Sequence, residues 1–230
     1  MNRIEPNWLA PANIKAFTTV KSSWGYPGTP YQSESSVKAL LELGPLPNAP
    51  HWINQTHSNI ALPASSENIG KTADASFTHE KQRVCAVLTA DCLPILICNK
   101  AGTAVAAIHA GWRGLANGII ENTLKALNEP AENLIAWMGP AIGPAKFEVG
   151  KDVYDAFTAF QPEAKEAFLP HNNDKWLANL YLLATQRLNL QGVTNISGGE
   201  YCTHSQSDLF YSYRRDQGQT GRMVSVIWIE

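Results

Sequence analysis

The sequence predicts one domain of strands interspersed with helices, α/β or α+β in class. Three observations carry that prediction. Short apolar runs of strand length, at residues 84–88, 93–98 and 104–109, are bounded by turns. Stretches that follow them space their apolar residues at helical intervals. The chain of 230 residues, 44% hydrophobic and 17% charged, is long and apolar enough for one sizeable core and is neither disordered nor fibrous in composition.

Residues 21–50 (KSSWGYPGTPYQSESSVKALLELGPLPNAP) are rich in Gly, Pro and Ser around one short helix at 35–43. They read as a surface excursion rather than a linker between domains. A strand is expected at 51–54. Strands at 86–88 and 94–98 flank a sharp loop, 89–93. The run 104–109 is continuously apolar, as in a strand buried on both faces. It leads into His-Ala-Gly-Trp-Arg-Gly and then a helix with Leu115, Ile119, Leu124 and Leu127 on roughly one face. A strand at 134–138 ends in Gly139-Pro140, which with Gly143-Pro144 fixes the chain direction around Ala141-Ile142. Helices follow around 152–159 and at 175–188. The last strands, 193–197 and 223–228, flank an aromatic, basic segment.

Eighteen Lys and Arg against twenty Asp and Glu leave a net charge of -2. That balance gives no electrostatic reason to expect nucleic acid or an anionic membrane, and a small molecule is the partner class left. The N-terminus has no basic head followed by a long apolar run, and the apolar stretches are strand-sized. A cytoplasmic protein without signal peptide or membrane span is expected. There are four cysteines and no C-x-x-C pair. Cys85 and Cys98 lie inside apolar runs and read as small buried hydrophobes.

Three segments each place a metal-capable side chain at the end of an apolar strand: Gln-Thr-His57-Ser, Thr-Ala-Asp-Cys92-Leu-Pro and Ile-His109-Ala-Gly-Trp. Two imidazoles and a thiolate are three of the four positions of tetrahedral zinc, with the fourth left for water or substrate. This nitrogen and sulfur mix suits zinc better than magnesium or calcium. The same atoms allow a rival reading. Cys92 could be a nucleophile with His57 or His109 as its base, and Asp91 could orient that base or act as an acid. Zinc on the thiolate would remove the nucleophile, so the two readings exclude each other. His51, His79 and His171 read as surface or loop residues. His204 is kept out of the ligand set, because a fourth protein ligand would close the site.

The segments TADCLPILICN, AAIHAGWRGLANGIIENTL, IAWMGPAIGPAKFEVG and CTH…LFYSYRRD…TGRMVSVIW follow one another as in the YfiH-like family, which the chain resembles from Trp52 to Glu230. That family was long labelled a multicopper polyphenol oxidase or laccase domain, and is associated with purine nucleoside phosphorylase and adenosine deaminase activity. The resemblance implies a single α+β domain over 1–230, a sandwich of mixed β-sheets with outer helices, similar to the catalytic domain of cytotoxic necrotizing factor. It also implies a catalytic zinc on His57, Cys92 and His109, with a purine nucleoside and phosphate as partners. A laccase mechanism is not expected: its copper centres need about ten His ligands, and the chain has six His in all. Adventitious copper at the trio is compatible with the donor set.

Within that resemblance Asp91 and Cys92 are the candidate catalytic residues, Asp91 as proton carrier. Arg113 and Gly114, at the start of a helix, and Arg214 and Arg215, in YSYRRD, are candidates for holding phosphate. At least one of the latter pair is expected to be tied to Asp216 or Asp208, and Phe210, Tyr211 and Tyr213 to lie in the core. The first 50 residues depart from the family pattern. Where relatives carry Thr-Thr-Arg-Gly-Gly, this chain reads Thr18-Thr19-Val20-Lys21-Ser22-Ser23 and is shortened after it. Lys21 could stand in as a point charge, without the bidentate geometry of Arg. Two alternatives therefore stay open: an amide hydrolase acting on UDP-linked muramoyl amino acids, and a metal-binding module with weakened catalysis.

Overall fold

A computed structural model describes residues 2–28, 31–44 and 46–230. Its strands, numbered in chain order, fall into three sheets. The first contains β1 (Arg3–Ile4), β2 (Ile14–Thr19), β5 (Cys85–Thr89) and β13 (Met223–Ile229), ordered β1-β2-β13-β5 and antiparallel throughout. The second contains β3 (Ala61–Pro63), β4 (Ala75–Thr78), β6 (Leu93–Asn99), β7 (Val105–Ala110), β8 (Leu134–Met138) and β12 (Asn195–Gly198), ordered β12-β8-β6-β7-β4-β3. It is mixed, with β12 parallel to β8 and β3 parallel to β4. A small antiparallel sheet joins β9 (Glu148–Val149), β10 (Phe168–His171) and β11 (Lys175–Ala178).

The period-2 alternation of strand side chains turns these sheets into layers. In β6, Leu93, Ile95 and Ile97 face a core shared with the helices, and Leu96 and Cys98 face the first sheet. In β13, Ile227 and Ile229 meet that inner face, while Val224, Val226 and Trp228 point the other way. Both strands therefore read as unbroken apolar runs. The helices α2 (Trp112–Ala116), α3 (Ile119–Leu127), α4 (Lys151–Thr158) and α5 (Leu180–Leu190) cover the second sheet. The outer face of the first sheet is covered by α1 (Glu34–Leu43), through Leu40, together with Trp24 and Trp52. A sandwich of two sheets with outer helices results; only the second is mixed. No helix among the described residues is long and apolar enough to cross a membrane.

Several expectations are corrected. The 21–50 stretch is more than a surface excursion, since Trp24 and Leu40 are fully buried. Residues 51–54 form no strand, only single bridges from His51 to Cys85 and from Asn54 to Thr72. The helix after the HAGWRG stretch is two, broken at Gly118, whose φ of 89° is left-handed. The stretch 175–188 divides as well. Lys175–Ala178 is strand β11, and the Asn179 side chain then accepts from Leu182 N to start α5.

Candidate metal centre

His57, Cys92 and His109 arrive on three different elements and meet. One ligand atom from each lies within 4.8 Å of the others, with Cys92 Sγ 3.7 Å from His57 Nε2. Cys92 sits in the tight loop between β5 and β6, and His109 in β7 opposite Pro94 of β6. His57 takes left-handed backbone, φ 62°, at a turn.

The residue that organises the trio is Asp74, which the sequence reading did not single out. It is fully buried, and its carboxylate accepts from the main-chain N–H groups of Thr56, His57 and Ser58, from Ser58 Oγ at 2.6 Å and from His109 Nδ1 at 2.7 Å. One carboxylate thus fixes the turn that carries His57 and the ring of His109. Burial opposes its ionisation, but the hydrogen bonds from His109 and Ser58 win and hold the group down at about 2. A carboxylate only accepts, so the His109 proton sits on Nδ1 and Nε2 is turned to the trio. A sequence signal existed: Thr-Ala-Asp occurs twice, at 72–74 and at 89–91, the second time directly before Cys92.

Cys92 and His109 each favour the other's charged form. Burial opposes the Cys92 thiolate, yet the His109 imidazolium and hydrogen bonds from His109 and His57 bring the thiol down to about 6. Burial likewise opposes the His109 cation, and the Cys92 thiolate and Asp74 raise it to about 9. Cys85 and Cys98 behave oppositely; both are fully buried and pushed up to about 12 by desolvation, as inert hydrophobes should be. Room for an ion is kept by Gly111, where a Cβ would lie 2.8 Å from His57 Cδ2 and 3.0 Å from Cys92 Sγ. Gly111→Ala is therefore expected to weaken metal binding by at least ~10-fold in a competition titration with a chromophoric chelator, because both ligands must move. Unchanged affinity would show that the trio has slack.

The trio faces a cavity of about 620 Å³, also lined by Asp91, Arg113 and Arg214. The Arg113 guanidinium makes no hydrogen bond or ion pair among the described residues and lies over the Trp112 ring at 4.4 Å. Arg214 gives one guanidinium hydrogen bond to Glu148 O. Asp91 spends its carboxylate on Thr203 Oγ1 (2.5 Å), Ser212 Oγ (3.0 Å) and Arg214 N (2.7 Å), an anchoring arrangement that ties the Cys92 loop to the segment bearing Arg214. Arg215 is turned elsewhere. It forms a two-point pair with Asp216 and donates to the carbonyls of Thr203, His204 and Phe210, so it is the member of the pair bound to Asp216. Gly114 is buried, and a Cβ there would meet Ser58 O at 2.8 Å, so it serves close packing of α2. His204 lies outside the trio. His51, read as a surface or loop residue, lies between elements but is buried, while His79 and His171 are exposed near Glu129 and Glu148. Phe210 and Tyr211 are core residues, but Tyr213 is exposed at the cavity.

Residues 31–230 match the family profile described as multi-copper polyphenol oxidoreductase laccase. The chain belongs to that family. A Haemophilus influenzae relative named purine nucleoside phosphorylase is 47% identical, with all of both chains covered. The Escherichia coli K12 purine nucleoside phosphorylase YfiH is 44% identical over 98% of each chain. The crystal structure of Neisseria meningitidis protein NMB0706 superposes with a TM-score of 0.91 at 42% identity, again over both whole chains. The alignment with the Haemophilus relative spans 248 positions against 230 residues here, so at least 18 positions have no counterpart in this chain.

Proposed function

We propose that the protein is a zinc-dependent purine nucleoside phosphorylase, converting inosine or adenosine and phosphate to free base and ribose 1-phosphate, with adenosine deaminase as a second activity. The observation that carries this reading is the trio of His57, Cys92 and His109 opening onto a cavity walled by guanidinium groups. The relatives' names support it. The donor set fits zinc: two nitrogens and a thiolate, one imidazole held in the ligating tautomer by Asp74, and a glycine where a methyl group would intrude. Copper remains compatible with the same donors. Bound at the trio, zinc supplies Lewis acidity to an oxygen of the substrate.

The chain's own residues do the rest. Arg113, with its guanidinium uncommitted, receives phosphate, and Arg214 is the second cation; Arg215 and Gly114 support the wall from behind. Asp91 holds Arg214 in place and keeps the Cys92 loop rigid, and could carry a proton to the leaving base only by giving up one of its three hydrogen bonds. Phe147 and Tyr213 give the cavity the aromatic walls that a ribose and a purine need. The work is done on small molecules in the cytoplasm.

Incubating the purified protein with inosine and phosphate is expected to yield hypoxanthine and ribose 1-phosphate by chromatography, and adenosine alone to yield inosine. No product above a His57→Ala control sinks the proposal; metal without turnover would mark a binding module instead. A second reading is favoured by one arrangement. Cys92, His109 and Asp74 also stand in the order nucleophile, base and orienting carboxylate, which suits amide hydrolysis of a UDP-linked muramoyl amino acid. Chelation separates the two, since thiolate chemistry survives removal of metal.

A further inference from the structure

The cavity wall carries one more cation. Arg222 immediately precedes β13, whose first residue, Met223, pairs with Thr89 at the end of β5. That register sets Arg222 beside Ala90, two residues before Cys92. The main chain there is clamped. Arg222 N donates to Gly25 O at 2.9 Å. A Cβ on Gly25 (φ +77°) would overlap the Arg222 carbonyl oxygen, and one on Gly221 would overlap Gly25 O. The side chain is held too, since Nη1 donates to the carbonyls of Thr220 (3.2 Å) and Gly221 (2.9 Å). Nε and Nη2 have no hydrogen-bond partner among the described residues, and the group lies 5.9 Å from the Tyr213 ring centroid.

The surrounding charge is one-sided. Arg113, Arg214 and Arg222 line one cavity, and the one carboxylate among its described lining residues, Asp91, is already engaged by three donors. Clefts with such an excess concentrate anions. A guanidinium pinned through one nitrogen, with an Nε/Nη2 edge left over, is organised to meet two oxygens at once. We propose that Arg222 is an anion-binding residue of the cavity, offering that edge to a tetrahedral oxyanion. The assignment rests on the phosphorolysis reading only for the anion's identity as co-substrate phosphate.

The test is calorimetric titration of the purified protein with inorganic phosphate and, separately, with inosine 5′-monophosphate, on wild type, Arg222→Gln and Arg222→Lys. Metal content and thermal midpoint are measured for each. Arg222→Gln is expected to weaken phosphate binding by ~10-fold or more, the size of one charge-assisted hydrogen bond. KM for phosphate in inosine phosphorolysis should rise in step, while KM for inosine and metal content stay near wild type. Arg222→Lys should fall between, because it keeps the charge and loses the two-point edge. Tighter phosphate identifies a free co-substrate; tighter nucleotide identifies a ligand's own phosphate, and either supports the site if it depends on Arg222. Wild-type phosphate affinity in Arg222→Gln with metal intact, or no binding of either anion by wild type, overturns it. If Arg222→Gln fails to fold, Arg222→Lys decides, and an unchanged phosphate affinity there overturns the proposal equally. Arg222-dependent binding without phosphorolysis would leave this site standing and remove the function proposed above.

Discussion

Cys92→Ala should leave the protein with well under one equivalent of zinc after gel filtration, and without phosphorolysis. Two imidazoles remain, but His109 loses the thiolate that balances its charge and keeps only its bond to Asp74. The variant should also melt earlier than wild type when both are loaded with metal. A ligand present at about 100 times its dissociation constant stabilises the folded state by about 2.7 kcal/mol, and that contribution disappears with the site. His79→Ala, an exposed imidazole 3.5 Å from Glu129, is the control that should leave metal unchanged. Metal content equal to wild type in Cys92→Ala would discard the ligand assignment. The same variant with chelated wild type beside it also judges the rival chemistry. A thiol nucleophile predicts that the chelated wild type stays active on an amide while Cys92→Ala does not; a metal enzyme predicts that both are silent on nucleosides.

The trio was legible because residue type narrows the chemistry and because Cys92 and His109 sit where strands stop, whereas His57 follows no strand. The strands that carry it were legible for a related reason. Buried on both faces between two cores, β6 and β7 are apolar at every position but Asn99 and His109, and a nearly continuous run is hard to miss. β2 was missed because Ile-Lys-Ala-Phe-Thr-Thr places polar side chains inside the sandwich, where Thr18 Oγ1 pairs with Ser225 Oγ at 2.7 Å from the neighbouring strand. The length of helix 175–188 was misread because Lys-Trp-Leu-Ala suits a helix as well as a strand. Pairing with β9 and β10 settles it, and neighbours in space leave no periodicity to read. The break at Asn117-Gly118 did have a local sign, since Asn-Gly is a turn dipeptide, but the apolar spacing on either side hid it.

The cation wall was only partly legible. Composition marks Arg113, Arg214, Arg215 and Arg222 alike, and what sorts them is the company each keeps. Arg215 has an acceptor for each nitrogen, Arg113 has none among the described residues, and Arg222 is reached only through the register between β13 and β5. The same holds more strongly for Asp74. In Lys-Thr-Ala-Asp-Ala-Ser-Phe it looks like a solvated loop residue, and only the convergence of residues 56–58 and 109 makes it a buried anion.

Asp74 should accordingly be the costliest polar position to change. Asp74→Ala strands three main-chain N–H groups, the Ser58 hydroxyl and the His109 ring, all facing a carboxylate that is fully buried. Removing one partner of a buried ionic pair costs about 3–5 kcal/mol, and denaturant unfolding with a chelator present isolates that loss from metal binding. Asp74→Asn keeps the shape but brings an amide NH2 into a nest of donors. At best one oxygen still accepts, and the His109 proton is free to move to Nε2, the atom a metal needs. Metal affinity should fall about 10–100-fold even where the fold survives. The sign with pH follows from the low ionisation of Asp74: its stabilisation is complete above the ordinary value of 3.8 and is lost as the pH falls through about 2. The metal-free wild type and Asp74→Asn should therefore converge in stability over that acid window and differ most near neutrality. A gap that is the same at pH 7 and at pH 2 would mean that Asp74 acts by packing alone, and that the ring of His109 is held by something else.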